Sequence, residues 1–168
     1  VIGVLGNQDN WYGRASITRA IEEAGVATLA NRNVEIAREG GDFFVAGLED
    51  AYSSQADFTA ALDGADGRDT IVISHSPIPF RRMPPGPALM LASHTHCGQV
   101  TIPFFGRPFL PIRNHRHGCH LVEEDGRRMY VTAGIGTSIA PVRFLNPPEI
   151  VLITIRSATE AAPQSARI

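Results

Sequence analysis

His94 and His96 stand two residues apart in the stretch Ser93-His94-Thr95-His96-Cys97-Gly98-Gln99. They follow a short apolar run, Leu89 to Ala92, that reads as a buried strand. A strand running directly into His-x-His suggests imidazoles presented at a strand end, and neutral imidazole is a common ligand for first-row metals. The plain alternative is two loop histidines with no ligand role. Two further strand-like runs end in polar residues. Val1 to Leu5 leads into Gly6-Asn7-Gln8-Asp9, and Thr70 to Ser74 leads into His75. In α/β folds ligands bind outside the carboxyl ends of the strands. If these strands are parallel neighbours, Asn7, His75, His94 and His96 meet at one place. One amide carbonyl and three imidazoles suit Mn²⁺, Fe²⁺/³⁺ or Zn²⁺ better than Ca²⁺, which takes an all-oxygen shell. Carboxylates are short in this set. Asp9 and Asp50 are the nearest candidates in sequence.

The elements that must carry these residues are mostly strands. Strand-like runs cover Val1 to Leu5, Val34 to Ala37, Phe43 to Ala46, Thr70 to Ser74, Leu89 to Ala92, Gln99 to Ile102, His120 to Glu123, Met129 to Thr132 and Ile150 to Ile155. Several are continuous apolar runs, as in sheets covered on both faces. Glu39-Gly40-Gly41-Asp42 and Glu124-Asp125-Gly126 are turn signals for antiparallel hairpins. One amphipathic helix is predicted over Ser16 to Ala24, with Ser16 as N-cap and Gly25 just past its end. A shorter one is predicted over Asp57 to Leu62. Arg81 to Pro87 is too proline-rich for a helix interior and reads as a loop. The fold class is α/β or α+β, with more strand than helix.

Composition bounds the rest. The chain has 168 residues, of which 43% are hydrophobic and 19% charged, as in a globular domain with a real core. A formal charge of -2 gives no reason to expect a nucleic-acid partner. No apolar run approaches the roughly 20 residues that span a bilayer. The chain starts on a strand-like run without Met, and so reads as part of a longer one. Residues 1–156 are expected to form part of a single domain and 157–168 a flexible tail. Cys97 and Cys119 read as two free thiols, since two cysteines do not make a disulfide framework. A structural zinc module built on them and the nearby histidines does not match paired Cys-x-x-Cys spacing. His115, His117 and His120 surround Cys119. They read either as a solvated loop or as a loop overhanging the site. In the second case His117 would contact an anionic ligand there, as the guanidinium of Arg143 could.

Together these motifs resemble the calcineurin-like metallophosphoesterase superfamily, in its bacterial branch with Gly-His-Thr-His-Gly-Gly-Gln. Gly6-Asn7-Gln8-Asp9 resembles that family's Gly-Asn-His-Asp, Ser74-His75-Ser76-Pro77 its lone-histidine motif, and Ser93 to Gln99 its two-histidine motif. Gly134-Ile135-Gly136-Thr137-Ser138, Pro141 to Phe144 and Pro148-Glu149 resemble its C-terminal signature. The resemblance implies a metallophosphoesterase-type β-sandwich flanked by helices. It also implies two divalent metal ions that activate water to hydrolyse phosphate mono- or diesters. Asn7, His75 and His94 would ligate the second metal and His96 the first, with Gln8 and Asp9 at the catalytic positions. The first metal's Asp and His and the bridging Asp belong to motifs that precede Gly-Asn-His-Asp. The chain therefore reads as the C-terminal part of the domain, and is expected to be inactive alone.

Three residues depart from the family pattern. Gln8 stands at a family histidine that assists the leaving group, and Ser93 and Cys97 stand at glycines. Pro77 to Pro87 replaces what is often a helix. The expected substrate is a phosphorylated small molecule or a phospholipid-like diester, in the cytoplasm or at the membrane periphery of a bacterium. The competing reading is a degenerate, non-catalytic relative that binds a metal or a phosphorylated ligand.

Overall fold

The computed structural model describes residues 1–53, 56–65 and 67–156. The expected tail at 157–168 lies outside them. The strands are β1 (Ile2–Gly3), β2 (Ala27–Thr28), β3 (Arg32–Ile36), β4 (Phe43–Gly47), β5 (Thr70–Ser74), β6 (Leu89–Ala92), β7 (His120–Glu124) and β8 (Arg127–Val131). Helix α1 spans Asn7–Glu23 and α2 spans Phe58–Ala61. Among the described residues no helix is long and apolar enough to cross a membrane.

Six strands form one sheet in the order β3-β4-β5-β6-β8-β7, and β1 pairs with β2 in a small parallel sheet. Strands β4, β5, β6 and β8 run parallel, while β3 and β7 are antiparallel edges. The two hairpins fall where the turn signals put them. In the second, Asp125 and Gly126 both take positive φ (51° and 73°), the two-residue turn that matches strand twist. The fold is thus mixed α/β, as expected. Its core lies along the parallel strands, where Ala46, Val72, Met90, Ala92, Met129 and Val131 are buried with Phe80 and Met83 from the proline-rich loop. That loop opens with a 3-10 turn over Ile78–Arg82, which plugs Phe80 into the sheet.

The register sets up the site. Ser74 pairs with Ala92, and Ala92 with Val131. The carboxyl ends of β5, β6 and β8 are therefore level, and the residues following them emerge side by side.

Three expectations are corrected. Helix α1 begins at Asn7 and not at Ser16, because Gly6 is its N-cap and Asp9 caps it by accepting from the Gly6 N–H at 2.8 Å. Gly13 kinks the helix, and Ser16 Oγ donates to the Gly13 carbonyl inside it. The helix ends as expected at Gly25, whose N–H donates to Glu22 while Val26 donates to Ile21. Gln99 to Ile102 is not a strand. It makes only isolated bridges, Val100 to Phe144 and Ile102 to Gly106. Ile150 to Ile155 is not a strand either; Ile150 and Leu152 are exposed, so its apolar pattern has no partner face among the described residues.

Candidate metal centre

Three donor atoms from three separate elements converge. Asn7 is buried in the first turn of α1, His75 follows β5, and His94 lies two residues past β6. Asn7 Oδ1 is 2.9 Å from His75 Nε2, which is 2.9 Å from His94 Nδ1. Two ligands at right angles, each about 2.1 Å from an ion, are about 3.0 Å apart. The spacing is therefore that of neighbouring ligands. With neutral rings His75 Nε2 is either a donor or an acceptor, so it cannot serve both neighbours well. A cation held between the three would satisfy all of them. The donor set fits a divalent metal.

Local sequence makes this approach feasible. A Cβ on Gly6 would lie 2.6 Å from His75 Cε1 and 2.7 Å from its Nδ1, so the ring rests on bare backbone. Tyr52 closes another side, with its ring centroid 4.7 Å from that of His94 and its hydroxyl donating to the Pro111 carbonyl. Asp50, past the end of β4, is buried; its Oδ2 accepts from the Tyr52 and Ser53 N–H groups. Its Oδ1 has no partner among the described residues.

The imidazoles are held neutral. Burial, reinforced by His75 and His96 and opposed by Asp50, pushes His94 down to about 4. Burial also lowers His75, with Asp50 and Asp9 opposing. Burial and then the Arg143 guanidinium lower His96. Neutral rings offer lone pairs at physiological pH, as metal ligation requires. The shifts also fix a pH dependence. His94 falls from its ordinary 6.5 to about 4 on folding, so the unfolded chain takes up protons first as pH drops. Stability of the metal-free protein should be level above the unfolded value and fall as pH moves from there through about 4. Urea midpoints measured across that window, in wild type and in His94→Gln, check this. A wild-type midpoint that holds or rises on acidification contradicts it.

His96 does not join the three-atom contact. It sits in a 3-10 turn over His96–Gly98, with Nδ1 3.4 Å from an Arg143 guanidinium nitrogen. All three histidines line one cavity of about 380 Å³, together with Asn7, Gln8, Gln99 and an apolar wall that includes Phe109, Pro111, Ile139 and Val142. Gln8 is exposed at its mouth.

Other candidate residues are placed differently from the sequence reading. The side chain of Asp9 is occupied as the helix cap. Arg143 donates to the carbonyls of Ala133, Gly134, Gly136 and Asn146, so it clamps the loop behind His96 instead of reaching into the cavity. His117 does not overhang the site. It is buried, with Nε2 3.0 Å from Glu124 and its ring against Phe80, and it lines a neighbouring cavity with Tyr52, Arg81 and Arg113. Cys97 and Cys119 are not free thiols: they form a disulfide, with Cα atoms 4.8 Å apart. Their sulfurs and a ring nitrogen of His120 lie within 4.8 Å of one another. Bonded to each other, the sulfurs are not thiolate ligands, so the zinc-module reading fails for this state.

The sequence reading missed Tyr52. The strand-end rule applied to β4 points to it, since Leu48 to Tyr52 directly follows that strand. It also missed two clamps. Gln99 donates to the Ala140 carbonyl and accepts from the Ser138 N–H, tying the histidine loop to the C-terminal loop. Glu149 accepts from the Tyr130 and Thr132 hydroxyls and the Ala133 N–H, pinning the C-terminal segment beside β8.

The same motifs relate the chain to known proteins. It is 30% identical over 155 residues to Phosphodiesterase YaeI of Escherichia coli (strain K12), which covers 90% of this chain and 56% of that protein. It is 26% identical over 158 residues to the uncharacterized metallophosphoesterase YkuE of Bacillus subtilis (strain 168), covering 92% of this chain and 55% of that one. It is 28% identical over 160 residues to an uncharacterized metallophosphoesterase of Aquifex aeolicus (strain VF5), covering 91% and 59%. The chain spans about half the length of the curated relatives it matches. No family model matches it, and no solved structure does. Over nine-tenths of its length the chain is thus similar to bacterial proteins named metallophosphoesterases.

Proposed function

We propose that this chain contributes to a dinuclear, metal-dependent hydrolase of phosphate esters, and that Asn7, His75 and His94 hold one of its ions. The observation that carries this reading is the convergence of three donor atoms in two 2.9 Å steps. His96, set apart and backed by Arg143, would contribute to holding the second ion. The set suits Mn²⁺, iron or Zn²⁺. When bound, such ions polarise the phosphoryl oxygens and lower the pKa of a bound water. The chain's own residues do the rest. Burial keeps the imidazoles unprotonated, and Gly6 and Tyr52 fix the rings. Gln8 donates a hydrogen bond toward the ester oxygen, and the apolar wall takes the organic part of the substrate. A phosphorylated small molecule or a lipid-like diester fits a cavity of this size and polarity. The presence of Gln8 at the family's histidine position supports the alternative reading, a relative that binds metal without turnover.

Calorimetric titration with Mn²⁺ and thermal unfolding with and without chelator test the proposal. One ion should bind through this set and raise Tm. His94→Ala should weaken binding at least about a hundredfold, since losing a ligand outright costs no less than losing a ligand's outer-shell support. No heat and no Tm shift at millimolar Mn²⁺ would overturn the assignment. The chain alone should not turn over bis-p-nitrophenyl phosphate, because the resemblance assigns the remaining ligands to motifs outside it.

A further inference from the structure

We infer that the Cys97–Cys119 disulfide is a positioning device for the metal-ligand loop, so that its redox state sets metal affinity. The inference rests on the metal site proposed above. Cys97 directly follows His96 and is buried, and Cys119 lies just before β7. The loop between β6 and Gln99 is wound unfavourably. His94, His96, Cys97 and Gln99 all take positive φ, at 66°, 49°, 52° and 61°. Non-glycine residues keep such conformations only where the surroundings hold them.

Two sets of ties are prominent among those that hold this loop. On one side Gln99 bonds to Ala140 and Ser138. On the other, Thr95 Oγ1 donates to the Gly118 carbonyl at 2.8 Å, and the disulfide joins the very next residue, Cys119. The covalent and non-covalent ties thus reach the same two-residue segment. Without the S–S bond, the Thr95 hydrogen bond is what remains of these two ties, and the strained turn carrying His94 and His96 can relax. Cys97 and Cys119 touch no substrate in this scheme and act only through the histidines.

Reduction by a dithiol is balanced. The Cys97–Cys119 bond breaks and two electrons and two protons yield two thiols, while the reductant's own sulfurs form a disulfide. The expected result is about a tenfold rise in the Mn²⁺ dissociation constant, the lower end of the effect of losing a ligand's support. Mn²⁺ is the right probe because it avoids thiolates and reports on the nitrogen and oxygen donors. The experiment compares the oxidised protein, the protein reduced with dithiothreitol, and Cys119→Ser. Cys119→Ser should match the reduced protein and not respond to dithiothreitol, and reoxidation of the wild type should restore binding.

Equal Mn²⁺ affinity in all three forms would overturn the inference. So would two titratable thiols in the aerobically purified, denatured protein. A thiolate-to-metal absorption band on adding Co²⁺ to that protein would do the same, by making Cys97, Cys119 and His120 a metal site instead. If the oxidised form binds no Mn²⁺, the proposed metal site fails. The positioning role is then read from the imidazole Cε1–H NMR signals of His94 and His96. Those signals should move on reduction, and fixed signals would refute the role by themselves.

Discussion

Gly6→Ala should disable the proposed metal centre although it adds only a methyl group with no chemistry of its own. Gly6 has φ −101° and ψ 176°, a backbone shape that alanine adopts freely. The substitution therefore acts only through its Cβ, which would sit 2.6 Å and 2.7 Å from two atoms of the His75 ring. The ring cannot step aside cheaply, because its Nε2 is held at 2.9 Å from both Asn7 and His94. Either the ring leaves and the three-donor set is broken, or the start of α1 shifts and Asn7 moves instead. Both routes should cost at least about a hundredfold in Mn²⁺ affinity, and overpacking of this kind destabilises by about 1–3 kcal/mol. Gly136→Ala is the control, since nothing lies within 4 Å of a Cβ added there. Calorimetry and thermal unfolding of both variants decide the matter. Wild-type affinity and Tm in Gly6→Ala would mean the His75 ring is not pinned.

The part of the site legible in sequence is the part that follows from strand geometry. Buried apolar runs such as Thr70 to Ser74 and Leu89 to Ala92 announce parallel central strands. Parallel strands bring their carboxyl ends to one edge. That is why His75 and His94 meet, and why Asp50 and Tyr52, past the end of β4, complete the wall. Tyr52 was hidden only because a tyrosine after a strand carries no chemical signature of its own. The start of α1 was hidden for another reason. Asn7 to Asp9 has no apolar period, and the helix exists there because Asp9 caps Gly6.

Loops carried the information that periodicity cannot. Gln99, Arg143 and Glu149 look like exposed polar residues in the sequence, and each is committed to backbone partners distant in sequence. Arg143 reads as a phosphate ligand from its charge. Its two terminal guanidinium nitrogens instead donate to the carbonyls of Ala133, Gly134, Gly136 and Asn146. The disulfide was illegible because pairing depends on whether the His96–Gly98 turn comes within reach of the segment before β7. Sequence separation of 22 residues says nothing of that approach.

Gln8→His should raise catalysis selectively. An amide donates a hydrogen bond but cannot give up a proton near neutral pH, so wild type lacks general-acid help at this position. Gln8 lies at the mouth of the histidine cavity, one residue from Asn7, and is exposed, so an imidazole fits there without repacking the core. Esters with poor alkyl leaving groups need a proton as the P–O bond breaks. For these, kcat/KM in the longest native form of the protein should rise by up to about a hundredfold, within the span of general acid catalysis. Nitrophenyl esters leave as stable anions and should gain little, and Gln8→Ala should change either rate only modestly. The pH profile adds a second readout. The alkyl-ester rate in Gln8→His should fall as pH rises past the new imidazole's ionisation, while the nitrophenyl rate should not. An equal gain on both substrates would mean that position 8 only orients the phosphate. A loss on both would mean that the site has been rebuilt around the amide, and the general-acid role would not transfer to this chain.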